Sequence, residues 1–236
     1  SSGSIEKKTF AEKSKEYSDL NEIIDTAKKY ISYEQNKLEL QKILNDKSSD
    51  EELIKMAEKE LDDGVIISYG DIIFETDVLQ KLIKSPDEFS IIVDKNWEKY
   101  WKIRNENPLD DAESLKIDNS GNIISIGQKV SDISEIQGQY IGLMKFQGSS
   151  LNIIKKFYHK IKQRSKTELN PLNQSLLFEK SYLTDLLYGL IRERNNLKAV
   201  TIQSGWLELD TMKDYKIYND MNISNTLSKI INLDKI

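Results

Sequence analysis

Between residues 10 and 43 apolar side chains return at near-helical spacing: Phe10, Tyr17, Leu20, Ile24, Ala27, Ile31, Leu38 and Ile43. No Gly or Pro interrupts them, so the pattern predicts an amphipathic stripe on one or two long helices. The polar run Asn45-Asp46-Lys47-Ser48-Ser49-Asp50 ends it. Ser49, with Glu52 three residues on, predicts a capped second helix over 50–61. After Asp62 the period changes. Val65-Ile66-Ile67 and the run 89–93 are short apolar stretches of the kind buried on both faces of a sheet, with a helical stretch over 77–83 between them. That order predicts a parallel sheet with right-handed crossovers. Residues 115–126 alternate around a Gly-containing turn and read as a hairpin. A strand over 140–146, helices over 149–164 and 182–195, a strand over 199–203 and closing helices from Thr211 complete the pattern. The expected fold is α/β, a mixed Rossmann-like sheet with an antiparallel insertion, preceded by a hairpin-like helical segment. The expected domains are 1–61 and 62–236.

Polar residues gather at the predicted strand ends. Tyr69-Gly70-Asp71 follows the first apolar run, at the carboxyl end of a strand, where open α/β sheets bind ligands. A carboxylate there suits a hard cation such as Mg²⁺, which takes oxygen ligands. Taken alone, Asp71 reads first as the cap of the helix beginning near Thr76, and its surroundings change that reading. Asp94-Lys95-Asn96-Trp97 follows the second strand, and Asp210 follows the period-2 stretch Trp206-Leu207-Glu208-Leu209. Two carboxylates and a lysine at neighbouring strand ends would hold a metal-bound phosphate. Singly, each reads as a solvated loop residue, and Trp97, Trp101 and Trp206 read equally as core.

Composition removes other chemistries. There is no cysteine, and the one histidine, His159, sits in the basic stretch Lys155-Lys156-Phe157-Tyr158-His159-Lys160. Thiolate and Ser–His catalysis are therefore excluded. No apolar run approaches the roughly 18 residues of a membrane span, and no charged-then-apolar leader opens the sequence. A cytoplasmic chain without membrane contact is expected. A net charge of −5 argues against direct DNA binding.

Five ordered stretches carry a resemblance: Tyr69-Gly-Asp-Ile-Ile-Phe-Glu75, Val93-Asp-Lys-Asn-Trp97, Gly138-Gln-Tyr-Ile-Gly142, Tyr182-Leu-Thr-Asp-Leu186 and Gly205-Trp-Leu-Glu-Leu-Asp-Thr-Met-Lys-Asp-Tyr215. Together they resemble sugar-phosphate nucleotidyltransferases, nearest to cytidylyltransferases that activate phosphocholine or phosphonates. The resemblance implies Mg²⁺-dependent transfer of a nucleotidyl group, CMP from CTP favoured, to a phosphorylated small-molecule acceptor. It implies Asp71 and Asp210 as metal ligands and Lys95 near the acceptor phosphate. It also implies Tyr69, Gly70, Trp97, Tyr140, Asp185, Trp206 and Glu208 as substrate-binding positions. The family's glycine-rich phosphate loop, Leu-Ala-Ala-Gly-x-Gly-x-Arg, has no counterpart in the sequence, so impaired nucleotide binding is expected.

The first 61 residues differ. Phe10-Ala-Glu-Lys-Ser-Lys-Glu-Tyr-Ser-Asp-Leu-Asn-Glu-Ile-Ile24 and Ser49-Asp-Glu-Glu-Leu-Ile-Lys-Met-Ala-Glu-Lys-Glu-Leu61 resemble the N-terminal helical domain of bacterial class-I peptide chain release factors. That likeness implies a helical interaction module with possible ribosome contact. It carries no termination activity, because the Gly-Gly-Gln motif is absent and no two glycines are adjacent. The chain reads as a fusion of two truncated families, joined near 60–63.

Overall fold

A computed structural model describes residues 13, 24, 27–29, 31–33, 35–46, 48–61 and 64–236. Much of the first helical stripe, and the join at 62–63, lie outside the described residues. The chain divides into two compact units, Ser1–Asp63 and Gly64–Ile236.

In the first unit residues 35–45 are helical (α1), and α2 spans Glu51–Leu61. The cap between them falls one residue later than the Ser49 pattern suggests. Asp50 Oδ1 accepts the Glu52 amide at 2.8 Å, whereas Ser49 Oγ donates back to the Ile43 carbonyl at 2.9 Å. Asp50 satisfies an orphan donor of α2, and Ser49 satisfies an orphan acceptor of α1.

The second unit takes its architecture from where its apolar residues can be buried. Its strands are β1 (Val65–Ser68), β2 (Ile72–Phe74), β3 (Phe89–Asp94), β4 (Leu115–Ile117), β5 (Asn122–Ile126), β6 (Gln139–Phe146), β7 (Leu197–Ile202) and β8 (Trp206–Glu208). Among the described residues they form a six-stranded sheet, ordered β1-β6-β3-β7-β5-β4, and a separate ribbon of β2 with β8. The helices are α3 (Thr76–Lys84), α4 (Trp97–Arg104), α5 (Ser149–Arg164), α6 (Leu183–Arg192) and α7 (Met212–Ile223).

β3 is central. Ile92 faces Leu82, Trp97, Tyr100, Trp101 and Trp206 on one side, while Ile91 and Val93 face Phe157, Ile161, Leu187 and Leu190 on the other. All three are fully buried. Together they contribute roughly 5–9 kcal/mol of burial, as much as the whole net stability of a small domain. This is a strand the unit cannot lose.

The parallel sheet expected from strand–helix alternation is only partly realised. β3 pairs in parallel with β7, but β6 runs antiparallel between β1 and β3 and separates them. Periodicity identifies strands; it does not say which later strand will come between two earlier ones. The hairpin forms as expected, β4 against β5, with Gly121 at φ 80° and Asp118 Oδ1 accepting the Ser120 and Asn122 amides at 2.8 Å. No helix among the described residues is long and apolar enough to cross a membrane.

β6 carries an irregularity that matters for the site. Ile91 pairs with Met144 and Val93 with Tyr140, so the register shifts across Gly142. Gly142 has φ 83°, and a Cβ there would lie 2.5 Å from the Tyr69 ring. Glycine is required, and its missing side chain is the space in which Tyr69 lies.

Candidate metal centre

The β2–β8 ribbon brings two distant stretches of chain together. Ile72 pairs with Glu208 and Phe74 with Trp206, and the Leu209 amide donates to the Asp71 carbonyl at 2.8 Å. Asp71, just before β2, thus meets Glu208 and Asp210, at the close of β8, at one end of the ribbon. One carboxylate oxygen from each lies within 4.8 Å of the others. The donor set is oxygen only, from three carboxylates, two of them on exposed residues. That suits Mg²⁺, which prefers hard oxygen ligands and keeps several waters. Asp71 does not cap α3; the residue at that N-cap is Glu75.

The main chain of Glu208 is held by a closed set of hydrogen bonds. Its amide donates to the Tyr100 hydroxyl at 2.8 Å, and its carbonyl accepts from the Tyr218 hydroxyl at 2.9 Å. The two hydroxyls lie 2.5 Å apart. Since Tyr218 donates to the carbonyl, Tyr100 must donate to Tyr218, which assigns every proton. Burial pushes the Tyr218 phenol up to about 12, and burial with Tyr218 beside it raises Tyr100 further.

Arg104, the last residue of α4, is one group that the sequence did not single out. Its guanidinium is buried and takes three carboxylates: Nη1 donates to Glu208 Oε2, Nη2 to Asp210 Oδ2 at 2.7 Å, and Nε to Asp214 Oδ1 at 3.0 Å. It also lies over the rings of Tyr100 and Trp101, 5.6 and 6.0 Å from their centroids. Burial opposes its charge, but the Asp214 hydrogen bond and the surrounding groups outweigh that and raise its pKa. Glu208 goes the other way, its burial lifting it above the ordinary carboxylate range against the pull of Arg104. Asp214 also caps α7, its Oδ2 accepting the Thr211 amide at 2.9 Å while the Thr211 hydroxyl accepts the Asp214 amide. The Thr211-x-x-Asp214 spacing was a legible signal for that cap. Nothing comparable marked Arg104, which reads in the sequence as an ordinary cation in the last turn of a helix.

Beside these carboxylates lie two tyrosines. The Tyr69 and Tyr140 rings meet edge to face at 5.6 Å. Burial raises the Tyr69 phenol, helped by the charges of Glu113, Asp71 and Glu208. Glu113, not singled out from the sequence, is raised by desolvation and by Asp185 and Asp111. Asp185 is buried at the start of α6, where it accepts the Tyr182 amide at 2.9 Å and the Asn173 amide group at 3.2 Å.

The remaining expected site residues are not members of the carboxylate cluster. Trp206 is 1% exposed and donates its indole N–H to Asp94 Oδ2 at 3.0 Å, while Trp97 is 4% exposed and packs against Trp101. Both rings serve the core here. Asp94 is consumed structurally, its other oxygen accepting the Asn96 and Ser204 amides. Lys95 is exposed and forms no ion pair among the described residues; its stem passes 3.5 Å from where a Gly138 Cβ would lie. Gly70 is exposed, with no positive φ and open space where a Cβ would be, so nothing local demands glycine. A cavity of about 460 Å³ between α5 and α6, and another of about 440 Å³ beside α3, do not include Asp71, Glu208 or Asp210.

No protein-family model matches the chain. Over 165 residues it is 41% identical to a CTP:phosphoglutamine cytidylyltransferase of Campylobacter jejuni, covering 70% of this chain and 62% of that protein. A 63-residue match, 65% identical, links it to peptide chain release factor 1 of Pelagibacter ubique, covering 27% of this chain and 18% of that one. Both resemblances drawn from the sequence are therefore found. A solved structure, a nucleoside-diphosphate-sugar pyrophosphorylase from Vibrio cholerae, aligns with a TM-score of 0.39 at 14% identity, covering 75% of this chain and 64% of that one. The chain spans less than two thirds of the length of the curated relatives it matches.

Proposed function

We propose that the Gly64–Ile236 unit carries the metal and acceptor side of a nucleotidyltransferase, CTP being the favoured donor. The observation that carries this reading is the convergence of Asp71, Glu208 and Asp210 at one end of the ribbon, from its two strands. Its support is the 41% identity to a cytidylyltransferase. Asp71 and Asp210, with Glu208 beside them, would hold Mg²⁺. When bound, the ion neutralises charge on the phosphates of the donor.

The chain's own residues would do the rest by placement. The acceptor phosphate oxygen is itself the nucleophile. It forms a bond to the α-phosphorus as the bond to pyrophosphate breaks, so no Ser, Cys or His is needed. Lys95 is proposed to steady the acceptor phosphate. Tyr69, Tyr140 and Asp185, with Glu113, are proposed to line the acceptor, as chain-borne aromatic and acidic groups suited to a positively charged or amide-bearing molecule. Because the glycine-rich phosphate loop has no counterpart in the sequence, the expected behaviour is Mg²⁺-dependent ligand binding with little turnover. A cytoplasmic setting fits this reading.

The test is calorimetric titration of CTP and of a phosphorylated amine acceptor, with and without Mg²⁺, into the chain and its Asp71→Ala and Asp210→Ala variants. Mg²⁺-dependent binding that each substitution weakens at least tenfold is the expected result. Binding indifferent to Mg²⁺ and to both substitutions would discard the reading.

A further inference from the structure

Three carboxylates whose oxygens lie within 4.8 Å repel one another when empty and tend to swing apart into water. Two of the three are restrained from one point. Arg104 takes Oε2 of Glu208 and Oδ2 of Asp210, and in each case the second carboxylate oxygen is not used by the arginine. The guanidinium is itself anchored. Asp214, as buried as Arg104, holds Nε from the first turn of α7, and Lys213 Nζ donates to the Arg104 carbonyl at 2.8 Å. The planar fork of an arginine reaches three carboxylates in fixed directions, which the point charge of a lysine cannot do. α4, β8 and α7 are thereby joined at a single side chain.

We propose that Arg104 is a positioning residue for the divalent cation, holding Glu208 and Asp210 in the arrangement that completes the site with Asp71. This rests on reading those three carboxylates as cation ligands. A buried positive charge beside a cation site ought by simple Coulomb repulsion to weaken it. The inference is that orientation outweighs this repulsion, as it does for hydrogen-bonded partners of ligands in other metal sites, where their loss costs about 10–100-fold in affinity. The two effects have opposite signs, so the experiment separates them.

Free Mn²⁺ is followed by electron paramagnetic resonance as it is titrated into the full chain, the Asp71→Ala variant, Arg104→Gln and Arg104→Lys. Leu82→Ala serves as a control, since Leu82 is fully buried on α3 and not part of the cluster. The expected result is one Mn²⁺ site in the wild type, lost in Asp71→Ala and weakened at least about tenfold in Arg104→Gln. Partial recovery is expected in Arg104→Lys, and unchanged affinity in Leu82→Ala despite its lower melting temperature. Unchanged or tighter binding in Arg104→Gln overturns the inference, because the arginine would then be a competitor of the cation or a purely structural group. Equal weakening in Leu82→Ala overturns it as well. Should Arg104→Gln fail to fold, Arg104→Lys decides: weaker binding supports positioning, and unchanged or tighter binding overturns it. A wild type that binds no Mn²⁺ overturns the metal-site reading itself, whereas binding lost in Asp71→Ala but kept in Arg104→Gln overturns only the role of Arg104.

Discussion

At the scale of single residues, the centre of the second unit is an ion-pair problem. Arg104 and Asp214 are both withdrawn from water, and a buried pair broken on one side leaves an uncompensated charge. Burial by itself would raise the Asp214 carboxyl, but the Arg104 and Thr211 donors overcome it and hold its pKa below the ordinary value of 3.8. A carboxyl depressed on folding stabilises the protein in full above its unfolded value, and that contribution is lost as pH falls through the folded one. Asp214→Asn should therefore cost roughly 1–3 kcal/mol at neutral pH, for a weakened buried hydrogen-bond set. The gap from wild type should close on acidification below 3.8. Urea unfolding at pH 7 and below pH 3.8 measures it. A gap that stays constant would show that the charge on Asp214 contributes nothing. Asp71 and Asp210 were legible because a carboxylate after a strand is a recognisable pattern. Arg104 was not, because burial of a cation is decided by partners more than a hundred positions away.

At the scale of elements, the two glycines near the site are a matched contrast. Gly142 sits at φ 83° with the Tyr69 ring in the place of its Cβ, while Gly70 has open space and no positive φ. Gly142→Ala should cost about 1–3 kcal/mol through backbone strain and should displace Tyr69 from Tyr140. Gly70→Ala should stay within about 0.5 kcal/mol of wild type, as surface changes away from special features do. Chemical denaturation of both, with tyrosine fluorescence, checks the pair. Equal effects would mean that the bend in β6 does not depend on glycine. The sequence marks both residues equally, as glycines flanked by strand. Their difference arises because β6 bends where β3 shifts register, a property of pairing between strands rather than of either one.

At the scale of the whole molecule, the chain comprises two compact units with separate likenesses. The boundary expected near residues 61 and 62 is proposed as the point at which they can be divided. A fragment of residues 64–236 contains both hydrophobic clusters of the second unit and should fold alone, with the near-ultraviolet circular dichroism of its tryptophans preserved. Loss of that signal in the fragment would show that the first 63 residues are needed for the second unit to fold. The mixed sheet fits the α/β class expected from the pattern, although strand order could not be read, since order depends on which crossover is taken.

What the sequence by itself determined is what local periodicity and residue type encode. This includes most of the strands and helices after residue 64, though neither β2 nor α4, together with the hairpin, the absence of cysteine, and Asp71 and Asp210 as candidate ligands. What only the tertiary structure decided is what depends on distant contacts. β6 comes between β1 and β3, Trp97 and Trp206 turn into the core, Asp94 is consumed by the main chain, and Arg104 joins three carboxylates. A period of 2 or 3.6 says which face a residue occupies. It does not say what that face will meet, and the meeting of α4, β8 and α7 is what orders the carboxylates.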